Sequence, residues 1–286
     1  DSWPAVIQCT FWVLISGTLM VVQLGIVRMI ANDIGIFQIV FFRALFSCLF
    51  IAPLIMSNPT ILLRPNRPGI MALCGTLALA AGTCFYFAAK YMPLADITAI
   101  HFSRPIFAAI LAAIVLKEVI KGPRAIAILG GFIGAAIIIR PGIIPINLGT
   151  IMILVAAFLY SCAHVVTKRL SDTESGSTVV FYMSVTILVY SAIPAFFVWQ
   201  TPAWADMPAM IGLGITGYAT HYCITRSLAV GDASFVIAFD FMRLPFSALL
   251  GWLLFREMLD TWTVAGALII FAAGYYSTMR EAKKSG

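Results

Sequence analysis

The chain has 286 residues, of which 62% are hydrophobic and only 10% charged, with a mean hydropathy of +1.00. A soluble domain carries about 25% charged residues, so this composition describes a polytopic helical membrane protein and excludes a soluble catalytic domain. The formal net charge of +6 fits topology and attraction to anionic lipid, and gives no support to a nucleic-acid partner.

A helix needs about 20 apolar residues to cross the hydrocarbon core. In chain order the apolar runs predict ten spans, over 5–27, 36–56, 68–91, 95–116, 123–139, 148–167, 177–199, 207–228, 232–255 and 260–279. The first run is about as long as a full span and lacks a small-residue cleavage site, so it is expected to be a membrane helix and not a cleaved signal. The breaks at 57–68, 140–147, 168–177 and 200–208 are rich in polar residues, Pro and Gly. Connections at 92–95 and 229–231 are very short, which makes spans 3 and 4, and spans 8 and 9, tight hairpins. With both termini in the cytoplasm, most of the eighteen Lys and Arg residues fall inside, while Arg28, Lys90, Arg140 and Arg256 fall outside. Arg43, Arg104 and Arg243 remain embedded.

The second half repeats the first. At a shift of 139, His101 faces Asp240, Phe102 faces Phe241, Arg104 faces Arg243, and Lys117-Glu118 faces Arg256-Glu257. Tyr86, Lys90 and Asp96 recur as Tyr222, Arg226 and Asp232 at a shift of 136. Five spans per half is odd, so the halves are expected to be inverted relative to each other, the architecture of alternating-access carriers. The expected fold class is therefore all-α, a polytopic membrane protein of ten transmembrane helices arranged as a 5+5 inverted-topology repeat. Residues 1–141 form the first repeat, 148–280 the second, and 281–286 a cytoplasmic tail. Asp96 and Asp232, each opening a helix, are placed to cap free N–H groups there.

A short hairpin, a capped helix, a proline and then Lys-Glu or Arg-Glu, once per half over ten spans, resembles the drug/metabolite transporter superfamily. The chain is most similar to its ten-span EamA-type exporters, and among them to the bacterial aromatic amino acid exporters. The resemblance covers essentially the whole chain. It implies a central cavity lined by spans 1, 3, 4, 6, 8 and 9, with spans 5 and 10 packed to the side. It also implies a bacterial inner-membrane location and export of aromatic amino acids or similar small amphipathic metabolites. A broader-specificity or proton-coupled drug/metabolite exporter is the alternative. The superfamily's small four-span members carry a glutamate in span 1, and span 1 here has no acid.

Charged side chains at bilayer depth cost about 2.5–3.5 kcal/mol each and face a bundle interior or a cavity. Arg104 and Arg243 either tie helices together, through carbonyls or Asp240, or meet charged groups of the substrate together with His101 and Asp240. His164 and His221 lie in spans 6 and 8; no pair of histidines has metal-ligand spacing, so no metal or other cofactor is expected. Ser161 and His164 do not form a nucleophile elbow, and no enzymatic activity is expected. Trp12, Phe85, Tyr86, Tyr160 and Tyr222 lie at mid-depth on the cavity helices, and serve either core packing or contact with a flat solute. Trp199, Trp204 and Trp262 are read as interfacial belt residues. Pro105 and Pro245 each remove a backbone hydrogen bond and are read as hinges. The six cysteines fall in apolar runs and read as packing residues. In span 5, Ala127, Gly131 and Ala135, with Gly130 and Gly134, make small-residue stripes for close helix contact, internally or between copies, and the functional unit is expected to be a monomer.

Overall fold

The computed structural model describes residues 5–57, 66–101, 103–104, 107, 110–111, 122–140, 147–171, 173–230, 243–258 and 260–285. It is helical, with no strand among the described residues. The helices are α1 (Ala5–Ile30), α2 (Ile36–Ser57), α3 (Pro68–Tyr91), α4 (Leu94–His101), α5 (Gly122–Ile139), α6 (Leu148–Ser171), α7 (Gly176–Phe197), α8 (Met207–Val230), α9 (Arg243–Phe255) and α10 (Thr261–Ser285). Among the described residues, 5 helices are long and apolar enough to cross a membrane: α1, α2, α3, α6 and α7. Local chemistry sets several ends. Pro68 opens α3, where its missing N–H costs nothing, and Ser175 caps α7 by accepting the Thr178 amide at 3.2 Å.

The main helix contacts map onto one another when each helix of one half is exchanged for its counterpart in the other. α1 packs on α8 as α6 packs on α3; α2 packs on α8 as α7 packs on α3; α2 meets α7, and α5 meets α10. Glycines permit the closest crossings. A Cβ on Gly75 of α3 would lie 2.5 Å from Thr186 Cβ of α7, and one on Gly214 of α8 would lie 2.1 Å from Phe46 Cβ of α2. Gly75 and Gly214 are 139 positions apart, the shift seen in the sequence.

Polar ties gather the helix ends into two edges. At one edge, Arg28 at the end of α1 pairs with Glu257 beyond α9, and its Nη1 donates to Met92 O at 2.7 Å. Arg140, after α5, pairs with Asp260, before α10, and the Thr263 hydroxyl donates to Asp96 at 2.6 Å. Buried Gln38 clamps the start of α2 to the end of α7: its Nε2 donates to Gln200 O at 2.5 Å, and its Oε1 accepts the Gln200 amide at 3.1 Å. At the opposite edge, the Glu174 carboxylate between α6 and α7 accepts the Asn66 amide, just before α3, at 2.6 Å.

Three expectations need correction or refinement. Asp96 is not the cap of α4: the helix starts at Leu94, whose amide donates to Glu257 Oε2 at 2.9 Å, so the other half of the chain supplies the cap. Within the span expected over 95–116, α4 is described as far as His101, Ser103 forms a turn, and Arg104 is again helical. A proline cannot donate to the carbonyl four residues back, which for position 105 is that of His101; Pro105 itself lies outside the described residues. The glycine stripe of α5 serves internal packing. A Cβ on Gly130 would lie 2.3 Å from Ala273 Cβ, and one on Gly266 only 2.6 Å from Gly134 O, so α5 and α10 touch backbone to backbone.

Large apolar side chains cover the outside, among them Phe132, Ile193, Phe196 and Phe197, and Trp199, Trp204 and Trp262 are exposed near helix ends. This is the surface a bilayer solvates.

Candidate functional site

Ring contacts bring together four of the expected site residues. Phe85 and Tyr86 of α3 point inward and are buried. The Phe85 ring lies 5.0 Å from the His101 ring and 6.3 Å from the Tyr160 ring, and His101 and Tyr160 are 5.5 Å apart, all edge to face. Such geometry aligns ring edges with π faces and fixes the rings relative to one another. Gly82 has room for Tyr160: a Cβ there would stand 3.5 Å from the phenol oxygen. His101 is only 1% exposed.

Next to these rings lies a polar group that includes His221. Arg43 of α2 is 8% exposed, and its Nη2 is 2.8 Å from His221 Nε2 of α8. A guanidinium has no acceptor, so it donates, and His221 holds its ring proton on Nδ1. The guanidinium carbon is 6.0 Å from the Tyr86 ring centre, which joins the polar group to the aromatic one. Gln23 of α1 is 5% exposed and faces the same place. A Cβ on Gly217 would lie 2.7 Å from Arg43 Nε and 3.1 Å from Gln23 Nε2. Glycine at 217 is what lets both side chains lie across α8.

The other expected residues lie elsewhere. Trp12 packs edge-on to Tyr222 at 6.1 Å, and the Tyr222 hydroxyl accepts from Arg226 Nε at 3.1 Å. Trp12 is eleven residues from Gln23, about 16 Å along α1, while Tyr222 directly follows His221 on α8. His164 is partly buried one turn beyond Tyr160 on α6. Arg104 is partly buried, and its carbonyl accepts from Ser161 Oγ at 2.8 Å, tying α6 to the chain after α4. Asp240 and the side chains of Arg243 and Pro245 lie outside the described residues, and the backbone of Pro245 is part of α9.

Among the described residues of this group the space left is small. Met20, Val21, Leu24, Phe85, Thr98 and His101 enclose about 10 Å³, room for one water at most. Leu24 and His101 fill the level where α1, α3 and α4 meet, and both are almost fully buried.

Arg43, Gln23 and Gly217 were not among the expected site residues. Arg43 is visible as an embedded charge, but it has no counterpart in the repeat. Aligning Pro53 of α2 with Pro194 of α7 puts Ser184 opposite it, and Gly176–Phe197 holds no Lys or Arg. A reading guided by repetition passes over it.

A helical bundle with apolar outer faces, paired halves and a buried polar and aromatic centre defines a membrane transporter. Two stretches of the chain, 8–140 and 147–279, match the EamA-like transporter family, and the chain belongs to that family. An S-adenosylmethionine uptake transporter of Rickettsia prowazekii is 26% identical over 247 residues, 86% of this chain and 84% of the relative. A riboflavin transporter of Vibrio cholerae is 33% identical over 228 residues, 78% of this chain and 76% of the relative. The pseudopaline exporter CntI of Pseudomonas aeruginosa is 27% identical over 249 residues, 82% of this chain and 84% of the relative. None of these three is an aromatic amino acid exporter, which corrects the expected nearest resemblance: the quoted motifs mark the superfamily, not the solute. A solved crystal structure covers 99% of both chains with a TM-score of 0.68 at 14% identity, a likeness of fold.

Proposed function

We propose that this protein is a secondary transporter of the bacterial inner membrane that moves small amphipathic metabolites with a flat ring by alternating access. Its architecture is ten spans in two inverted repeats, 1–141 and 148–280, with the tail 281–286 and both termini in the cytoplasm. The edge that carries Arg28, Arg140 and Glu257 faces outward. The symmetry of the main helix contacts supports the repeat. Helix ends support the inversion: α1 ends where α6 begins, since Thr150 at the start of α6 lies against Met92 in the Arg28 cluster.

The observation that carries the reading is the contact of buried Arg43 with His221 beside the rings of Phe85, Tyr86, His101 and Tyr160. A charge this deep is costly, and it sits beside rigid ring walls suited to a planar solute. The names of the relatives support a ring-bearing solute more than an amino acid as such, since S-adenosylmethionine and riboflavin both contain heterocycles. They include an uptake transporter and an exporter, so direction is a separate question. In this conformation the helix ends at the Arg28 edge are tied together, and the described residues around Phe85 and His101 enclose about 10 Å³, which fits a carrier closed on that side.

Counterflow in proteoliposomes tests the proposal, with labelled riboflavin, S-adenosylmethionine and tryptophan, each with and without a pH gradient. Saturable exchange of at least one solute is expected. Tryptophan exchange would support the amino acid reading, and stimulation by the gradient a proton-coupled one through Asp240 or a histidine. Flux that never saturates would indicate a channel and reject the carrier.

A further inference from the structure

We infer that Arg43 and Gln23 form the seat for a carboxylate of the transported solute, an assignment that rests on the transporter reading. Arg43 lies seven residues into α2, roughly 10 Å along its axis. No carboxylate pairs with it among the described residues. Its hydrogen-bond partner among the described residues is His221, a neutral acceptor that supplies no countercharge. Arg43 Nε and Gln23 Nε2 are both buried without an acceptor, and so is Thr220 Oγ1, one turn beyond Gly217 on α8.

A guanidinium placed only to tie α2 to α8 would be completed by carbonyls or an acid. Here two donors are left over, and both stand over the same bare glycine. Buried donors without partners are rare in folded proteins, and each requires an explanation. Convergent N–H donors, one of them on a charged planar fork, match the two oxygens of a carboxylate. One arginine beside a neutral histidine balances a single negative charge, so a carboxylate fits better than a phosphate. The Tyr86 ring lies 6.0 Å from the guanidinium and continues into Phe85, His101 and Tyr160. A ring joined to that carboxylate would rest against this wall when the centre opens.

Thermal stabilisation of the purified protein in detergent tests this with matched probes: tryptophan against tryptamine, and S-adenosylmethionine against its decarboxylated form. The carboxylate-bearing member should half-saturate at a concentration at least about tenfold lower in the wild type. That preference should vanish in Arg43→Gln and return in part in Arg43→Lys. If Arg43→Gln does not fold, Gln23→Leu removes the second donor and should narrow the preference. Equal response to both members of each pair would overturn the assignment, as would a preference kept in Arg43→Gln or Gln23→Leu. So would no response to any carboxylate, with indole-3-acetate included. Counterflow of the wild type alone reads the transporter proposal, so failure of that proposal is seen separately.

Discussion

Glu257 Oε2 accepts the Leu94 amide at 2.9 Å, while the other oxygen of the same carboxylate pairs with Arg28. One side chain of the second half thus closes the first turn of α4 and holds the end of α1. Gly251 makes this possible, because a Cβ there would come within 2.7 Å of Glu257 Oε2. The Arg28 guanidinium also stacks over Phe255 at 4.9 Å, so the tie has apolar as well as ionic support.

Replacing Glu257 with Gln should loosen the edge that Arg28 and Glu257 hold, which the proposed orientation places outside. In a background without native cysteines, Thr98→Cys places a thiol beside the small central space. A membrane-impermeant maleimide added outside should label that thiol several-fold faster in Glu257→Gln than in the parent. Exchanging the charges, Arg28→Glu with Glu257→Arg, should restore only part of the protection, since an arginine cannot accept the Leu94 amide.

Substituting the crossing glycines should rank in a definite order. Gly214→Ala sets a methyl 2.1 Å from Phe46 Cβ and 3.0 Å from its backbone carbon, so α2 and α8 must separate. Gly217→Ala meets mainly the Arg43 side chain, which can shift. Over-packing costs about 1–3 kcal/mol, and Gly214→Ala should lie at or above the upper end with Gly217→Ala below it. Melting curves in detergent give the order, and the tryptophan–tryptamine comparison should change in Gly217→Ala.

The contact between α5 and α10 predicts that Gly266→Leu lowers the melting temperature without changing the assembly state. Its side chain would strike Ile138 and the Gly134 carbonyl within the same molecule. Light scattering coupled to size exclusion separates this from a dimer surface, where the variant would shift mass.

Two ties at the edge shared by Arg140 and Thr263 should differ in weight. Asp260 is well exposed, so Asp260→Asn, which breaks the pair with Arg140, should cost less than about 1 kcal/mol. Thr263 is buried, and Thr263→Val leaves Asp96 without its hydroxyl donor, which should cost about 1–3 kcal/mol. Denaturation of the two variants side by side checks the order.

Much of the fold was legible because the bilayer rule is local. A run of about 20 apolar residues announces a span, and the helix starts at 36, 68 and 148 agree with the punctuation read from the chain. Four residues that the sequence singled out, Phe85, Tyr86, His101 and Tyr160, meet as a group. Arg43 was harder to see, because its significance depends on a histidine 178 positions away and on the missing side chain of Gly217. Asp96 misled for a similar reason. A carboxylate near a helix start suggests a cap, but which one reaches the free amide depends on how two distant segments dock.

The amino-acid sequence by itself determined that this protein lives in lipid, that it is helical, and that its halves repeat. Each of these follows from hydropathy and spacing along the chain. Only the tertiary structure decided which buried polar groups meet, that Glu257 closes α4, and that Arg43 and Gln23 lie over Gly217. In hydrocarbon, apolar surface does not select one helix partner over another. Pairing is instead set by where glycines let backbones approach and where costly polar atoms find one another, and both depend on docking in three dimensions.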